Sequence, residues 1–161
     1  MSGESRILQA IEAVYRERGG DFFRFALART LDPELAREAV QEGFARAIRG
    51  RHSFRGSGPV EAWVGRCVVN AAIDASQTVG AQRADERSDA DPAPTMETPA
   101  QEVRAALRRL PIRQRDALFL RYYLDYDYAT IAETLGMEVG TVSATLHAAR
   151  ENLTHALQEV T

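Results

Sequence analysis

Four arginines and a histidine lie within the ten residues 46–55, and no acidic residue interrupts them. They are Arg46, Arg49, Arg51, His52 and Arg55. Such a run is either a solvated basic face or a positively charged surface that binds the phosphate backbone of a nucleic-acid strand. A glycine-bearing loop, FRGSGP at 54–59, overlaps the end of this segment. Nucleic-acid binding is therefore the first chemistry that the sequence suggests.

A second segment, TIAETLGMEVGTVSATLHAAR at 130–150, has the pattern of two short helices joined by a tight turn. A small residue on the first helix, Gly136 in the turn and a β-branched residue early in the second helix are typical of a helix-turn-helix. Burial of Val142 and Leu146 would leave small and hydroxyl-bearing side chains exposed, followed by one arginine: Thr141, Ser143, Ala144, Thr145, His147, Ala148 and Arg150. Hydroxyls contact phosphates or bases, and methyl groups fit against thymine methyls. The pattern predicts weak DNA reading, although helical hairpins without a DNA role share it.

Other site chemistries are poorly represented. The only cysteine, Cys67, lies on an apolar helical face, and the three histidines are scattered, so neither a disulfide nor a metal site is expected. No carboxylate pair or phosphate-cradling glycine loop stands out, which argues against an enzyme. The net charge of −3 argues against strong non-specific DNA binding. Without an apolar run of about 18 residues or a signal peptide, we expect a cytoplasmic protein.

Hydrophobic spacing predicts helices nearly throughout, and no period-two pattern predicts a strand. The first helix is predicted to stop at Gly19-Gly20, with a second segment starting at Asp21. Asp32-Pro33 predicts a helix start, because aspartate caps the first turn and proline there sacrifices no hydrogen bond. Asp127 is predicted to cap a later short helix, and Gly136 to end it in the left-handed conformation.

The stretch GAQRADERSDADPAPTMETPA, residues 80–100, interrupts this pattern. It is acidic and proline-rich, with few large apolar residues, which is typical of a flexible connector. Thr98 and Gln101 then have the spacing of a capping box that opens a new helix. The sequence therefore predicts an all-α fold of two small helical domains, 1–80 and 99–161, joined by a flexible acidic linker at 81–98.

Three quoted stretches carry a family resemblance when taken in order: VQEGFARAI at 40–48, SFRGSGPVEAWVGRCVVNAAID at 53–74, and LRRLPIRQRDALFLRYYLDYDYATIAETLGMEVGTVSATLHAAR at 107–150. Together they resemble a bacterial RNA polymerase sigma factor of the small extracytoplasmic-function (ECF) group. The resemblance implies that the first domain binds core polymerase and captures and melts the −10 promoter element. The second domain would read the −35 element as duplex DNA.

The resemblance also implies site residues. Gln41, Glu42 and Arg46 would contact core polymerase. The residues for −10 capture and melting would be Arg49, Arg51, Phe54, Arg55, Trp63, Arg66, Asn70 and Asp74. The −35 contacts would come from Thr141, Ser143, Ala144, Thr145, His147 and Arg150. The basic segment is interpreted as a binding surface for the backbone of a DNA strand, because it adjoins the loop that matches the family's base-capturing loop.

Several positions keep two interpretations. Trp63 stacks on an unpaired base or, as its helical spacing favours, fills the core. Asn70 bonds a base edge or caps a neighbouring loop. Further arginines, at positions 113, 115 and 121, contact phosphates or lie in ion pairs. The family's basic residues after the aspartate are missing here, since ASQTVGAQ at 75–82 has none.

The sequence is thus interpreted as a transcription initiation factor that directs core RNA polymerase to promoters through their −10 and −35 elements. It would need no cofactor, and its partners would be core RNA polymerase, promoter DNA and an anti-sigma factor, without membrane insertion. Two alternatives remain at this stage: a stand-alone helix-turn-helix regulator, and a signalling adaptor that keeps the sigma-like fold.

Overall fold

The structure is a computed structural model that describes residues 2–56, 58–84 and 98–160. Its α-helices are α1 (Gly3–Thr30), α2 (Pro33–Arg49), α3 (Val60–Ala84), α4 (Pro99–Arg108), α5 (Ile112–Tyr122), α6 (Tyr128–Leu135) and α7 (Val139–Val160), with a 3-10 turn at Arg51–Ser53. None of the described residues forms a strand, and the predicted all-α fold is confirmed. The chain divides into two compact units, Met1–Arg87 and Ser88–Thr161.

The first unit is a three-helix arrangement in which α1, α2 and α3 all pack on one another. Its core contains aromatic rings from α1 and α2, with Phe22 and Phe44 edge to face at 6.1 Å, and the exposed Tyr15 packs on Phe44 at 5.1 Å. From α3, Val64 and Val68 are fully buried. Asp32 caps α2 as predicted, because its carboxylate accepts from the Glu34 and Leu35 amides.

The predicted helix end at Gly19-Gly20 is wrong, since α1 runs without a break from Gly3 to Thr30. Phe22 and Phe25 are 1% and 2% exposed and extend the apolar stripe that begins earlier in the helix. Burying each phenylalanine provides roughly 1.5–3 kcal/mol. Two helical glycines cost about 2 kcal/mol together, so packing outweighs local propensity here. The helix ends at Leu31, which adopts the left-handed conformation with φ 57°.

Close backbone contact joins α2 and α3. A Cβ placed on Gly43 would lie 2.4 Å from the Cα of Val68 and 2.8 Å from its Cγ2. Real Cβ atoms essentially never come within 3.0 Å of another heavy atom. Only glycine therefore allows the two helices to approach this closely, and their separation sets how far apart their exposed faces lie.

Helix α3 continues to Ala84, so residues 81–84 are helical although the predicted linker began at 81. The remainder of that predicted linker, up to residue 97, lies outside the described residues. In the second unit, α4 begins with the predicted capping box: the Gln101 amide donates to the Thr98 hydroxyl, and the Thr98 amide donates to Gln101 Oε1 at 2.8 Å.

In the second unit, α4, α5 and α6 pack against α7. Asp127 accepts from the Thr130 amide at 2.7 Å, and Gly136 ends α6 with φ 65°, so both predicted signals are confirmed. The core residues Leu120, Ile131, Val142 and Leu146 are fully buried. A well-packed core thus supports the turn between α6 and α7, as a helix-turn-helix requires.

Candidate nucleic-acid interface

The basic segment 46–55 spans the end of α2, the 3-10 turn and the start of the following loop, and acids from elsewhere in the unit pair with it. Arg51 donates through Nε and Nη2 to Glu4 Oε1 at 3.1 and 2.7 Å. The hydrogen bond and charge of Arg51 lower the pKa of Glu4. His52 Nε2 lies 3.7 Å from the same oxygen. Glu4 is a site residue that the sequence did not indicate, because it lies 47 residues from Arg51.

A second group of ion pairs connects two sets of predicted site residues. Glu42 Oε1 accepts from Arg46 Nε at 3.1 Å and from Arg49 Nη2 at 3.0 Å. Arg46 Nη1 donates to Asp74 Oδ2 at 3.0 Å, which links α2 to α3. Hydrogen bonds from Arg46 and then Arg49 lower the pKa of Glu42. These four residues are called the α2–α3 ion-pair network below.

Arg55 differs from the other three arginines of the segment. It is exposed, and the described part of the chain supplies it with no ion-pair partner. The flanking loop contains Gly56 and Gly58, both with positive φ. Of the basic segment, Arg55 is therefore the cation best placed to meet a phosphate without first losing an internal partner.

Trp63 and Phe54 pack together at the base of this loop. Their ring centroids are 5.5 Å apart with the planes tilted by 48°, and both side chains are half-buried. Trp63 is therefore neither a fully buried core residue nor an isolated stacking platform. It supports Phe54, so the start of the loop rests on α3.

Three predicted residues follow one another on α3 at intervals of four: Arg66, Asn70 and Asp74. Arg66 is half-buried, whereas Asn70 and Asp74 are exposed. They form one stripe, because residues four apart in a helix lie on the same face. Nearby Cys67 is half-buried, and burial raises the pKa of its thiol, which keeps it protonated at neutral pH. The thiol is thus not an activated nucleophile.

On α7 five of the seven residues predicted to be exposed are exposed, and two are not. Thr141, Ser143, Ala144 and His147 are exposed, as is Arg150, and Thr145 and Ala148 are half-buried. A tyrosine that the sequence did not indicate holds the arginine. Arg150 Nη1 donates to the Tyr122 hydroxyl at 2.7 Å, and this hydrogen bond raises the pKa of Arg150. His147 Nε2 lies 3.3 Å from Glu151 Oε1.

Two of the arginines with open assignments stabilise the second unit. Arg113 Nη1 donates to the Leu135 carbonyl at 2.8 Å. Arg121 Nη1 donates to the Tyr126 carbonyl at 3.1 Å, and its guanidinium lies 5.4 Å from the ring centroid of Tyr128. Both arginines thus donate to a backbone carbonyl of the same unit. Their contacts hold α5 against α6 and the turn before it.

The described ranges contain no group of three or more His, Cys, Asp or Glu residues arranged to hold a metal ion. Among the same residues, no helix has the length and apolarity needed to cross a membrane. The candidate sites therefore consist of exposed polar, basic and aromatic side chains on two helical units.

Both halves of the chain match known protein families. Residues 14–82 match the Sigma-70 region 2 family, and residues 100–153 match the family described as Sigma-70, region 4. The ECF RNA polymerase sigma factor SigM of Mycobacterium tuberculosis is 33% identical over 152 residues, covering 92% of this chain and 77% of the relative. SigL of the same species is 31% identical over 160 residues, covering 93% and 90%.

A solved structure has the same fold. The sigma factor RpoE from Bartonella quintana, in complex with the anti-sigma factor NepR, superposes with a TM-score of 0.68 over 96% of this chain and 95% of that chain. The two sequences are 21% identical, so this likeness concerns the fold. Both halves of the chain match sigma-70 regions in the expected order, and the relatives match over most of its length. The chain belongs to the ECF RNA polymerase sigma factors, which are transcription initiation factors.

Proposed function

We propose that the first unit binds core RNA polymerase and captures the −10 element, while the second unit reads the −35 element. The observation that best supports this assignment is the α2–α3 ion-pair network, because it brings residues expected to meet polymerase next to residues expected to meet DNA. Arg46 and Asp74 are separated by 28 residues in sequence and by 3.0 Å in space. A factor that couples polymerase binding to promoter melting needs these two surfaces close together.

For polymerase binding, we propose a surface that combines polar and apolar side chains. Gln41 and Glu42 are exposed on α2, and Ile48 on the same helix is 42% exposed. Tyr15 is 55% exposed and packs edge to face on Phe44. Exposed apolar groups bordered by polar ones are typical of protein-binding sites. An anti-sigma factor that covered the same groups would block polymerase binding.

For the −10 element, we propose that Arg55 contacts the strand backbone directly and that Arg49 does so after it separates from Glu42. Phe54 shapes the loop that receives an unpaired base, with Trp63 as its support. Asn70 offers an amide to an exposed base edge. Arg51 contributes after it separates from Glu4, since its guanidinium is held by that carboxylate in the free chain.

For the −35 element, we propose that the exposed face of α7 enters the major groove. Thr141, Ser143 and Thr145 supply hydroxyls, Ala144 supplies a methyl group, and these read bases and phosphates. The face carries little charge, so the second unit alone binds weakly. Linking it to polymerase raises its effective concentration on the promoter and compensates for that weakness.

The chain is proposed to act without catalytic chemistry of its own and in the cytoplasm, where polymerase and promoters meet. Polymerase performs the nucleotidyl transfer. No cofactor is required for recruitment or for trapping melted DNA.

The deciding experiment is run-off transcription by core bacterial RNA polymerase with and without this protein, on DNA carrying its own upstream region. We expect a protein-dependent transcript from a defined start. Asn70→Ala should reduce it, whereas Gln9→Ala, an exposed residue on α1, serves as the matched control. If the protein neither binds core polymerase nor yields a transcript, the proposed function is wrong, and a regulator or adaptor role takes its place.

A further inference from the structure

Arg46 occupies a different setting from its neighbours on α2. Its Nε and Nη1 donate to two carboxylates on two helices, Glu42 at 3.1 Å and Asp74 at 3.0 Å. Its side chain is 37% exposed, compared with 47% for Glu42 and 64% for Arg49. The guanidinium is thus the least exposed of these three charged groups and already lies between two acids.

The planar shape of arginine matters for this bridge. A guanidinium presents its donors in a fixed fork, so bonding to one carboxylate restricts the direction of the other bond. Arg46 therefore limits the orientations available to the Asp74 side chain. Lysine would keep the charge, but its compact ammonium on a flexible stem does not impose the same geometry.

Asp74 is the partner of Arg46 that lies on the stripe of α3 proposed to face DNA. It lies one helical turn beyond Asn70 on the exposed stripe of α3, and its side chain is 59% exposed. A carboxylate accepts hydrogen bonds from base amino groups, and its direction decides whether it can meet an unpaired base. Without Arg46 the side chain of Asp74 would sample several rotamers, and fewer of them would present the carboxylate to that base.

We infer that Arg46 is a positioning residue that orients Asp74 for promoter melting, and that it does not itself contact polymerase. This inference rests on the proposed function of the first unit, and it revises the role that the family resemblance implies for Arg46. The hydrogen bond to Asp74, the largest contribution to the raised pKa of Arg46, agrees with this geometry. Glu42, which accepts from both arginines, remains with Gln41 on the polymerase side.

The test compares Arg46→Lys, Asp74→Asn and the double variant with Arg37→Lys, which makes the same change at another exposed position of α2. Two quantities are measured for each full-length protein: affinity for core polymerase, and the extent of promoter opening when core polymerase is saturated. Opening is followed with a fluorescent base analogue in the −10 element. Trp63 fluorescence verifies that each variant is folded.

We expect Arg46→Lys to bind core polymerase within about twofold of the wild type. Promoter opening at saturation should fall about two- to fivefold, the range that an exposed ion pair provides. Asp74→Asn should lower opening to a similar degree, and the double variant should be no worse than either single one. Arg37→Lys should match the wild type in both measurements.

A loss of core affinity in Arg46→Lys, with normal opening at saturation, would overturn the inference and make Arg46 a direct polymerase contact. Unchanged opening in Asp74→Asn, with transcription intact, would also overturn it while leaving the proposed function standing. If the wild-type protein itself directs no opening despite binding core polymerase, the proposed function fails first. The three results are therefore distinguishable.

Discussion

Gly43 lies where α2 packs directly on the backbone of α3, and replacing it with alanine tests this close approach. The new Cβ would lie 2.4 Å from Val68 Cα and 2.8–2.9 Å from its side-chain carbons. Carbon atoms in contact are normally about 3.5–4.0 Å apart, so the helices would have to separate by more than about 1 Å. The closest atom belongs to the backbone, so a side-chain rotation cannot relieve the clash.

The magnitude follows from two opposing effects. Overpacking of a well-filled interior costs about 1–3 kcal/mol and occasionally more, and a backbone clash lies at the upper end. Alanine is better than glycine inside a helix by about 1 kcal/mol, which offsets part of the cost. We therefore expect Gly43→Ala to destabilise the first unit by about 2 kcal/mol. For a unit of this size the melting temperature should fall by roughly 8–16 °C.

The assay is urea unfolding followed by the fluorescence of Trp63, the only tryptophan in the chain, which therefore reports on the first unit. Gly19→Ala and Gly20→Ala are matched controls, because a Cβ there meets no atom within 4 Å. These controls should be neutral or more stable by up to about 1 kcal/mol. If Gly43→Ala unfolds at the same urea concentration as the wild type, the close helix approach is not rigid and the reasoning fails.

Three further predictions concern charge, backbone strain and pH. Glu4→Gln should strengthen binding of the full chain to single-stranded DNA, because it frees Arg51, and should steepen the slope of log K against log salt by about 0.7. Leu31→Gly should stabilise the first unit by about 0.5–1 kcal/mol in urea unfolding, because glycine adopts the φ of 57° without the steric cost of a side chain. The hydrogen bonds from Thr130 lower the pKa of Asp127, so its stabilising effect is present above the unfolded value of about 3.9 and is lost as the pH falls through the lower folded value. Urea titration followed by the NMR signal of the Thr130 amide should detect this loss as the pH falls below about 3.9, and Asp127→Asn should reduce it.

The first two of these predictions have contrasting controls. Glu12→Gln removes an acid that pairs with exposed Arg16 on α1 and should leave DNA binding unchanged. Leu8→Gly introduces glycine at an ordinary position of α1 and should destabilise the unit by about 1 kcal/mol. If Glu4→Gln binds single strands no better than Glu12→Gln, the Glu4 carboxylate does not compete with phosphate for Arg51.

Local signals in the sequence predicted the helix ends well. Asp32, Thr98, Asp127 and Gly136 were all placed correctly, because a cap depends on a few consecutive residues whose chemistry is readable in order. Glycine was informative only where the backbone needed a positive φ. At Gly19-Gly20 the same residue type suggested a helix end, but burial of the following phenylalanines extended the helix.

The candidate sites were less accessible to sequence reasoning. Helical periodicity correctly predicts that Thr141, Ser143, Ala144 and His147 of α7 are exposed, whereas Thr145 and Ala148 are half-buried. The partners of Arg46 and Arg51 do not follow from any periodicity, because Asp74 and Glu4 are 28 and 47 residues away. Tyr122 was likewise missed as the partner of Arg150, since the two residues belong to different helices. Such contacts depend on tertiary packing, which single-sequence patterns do not encode.

Each of the two units closes a hydrophobic core with its own helices, and this has a consequence for how promoter preference can change. Under the proposed assignment of α7 to the −35 element, substitutions on α7 change groove recognition and leave the residues that pack α1, α2 and α3 unaltered. Under the same assignment, recombination that replaced residues 98–160 with the corresponding segment of a relative would exchange −35 preference and keep the first core. A protein with a new combination of −10 and −35 preferences can therefore arise by exchange of one whole unit, without compensating substitutions in either hydrophobic core.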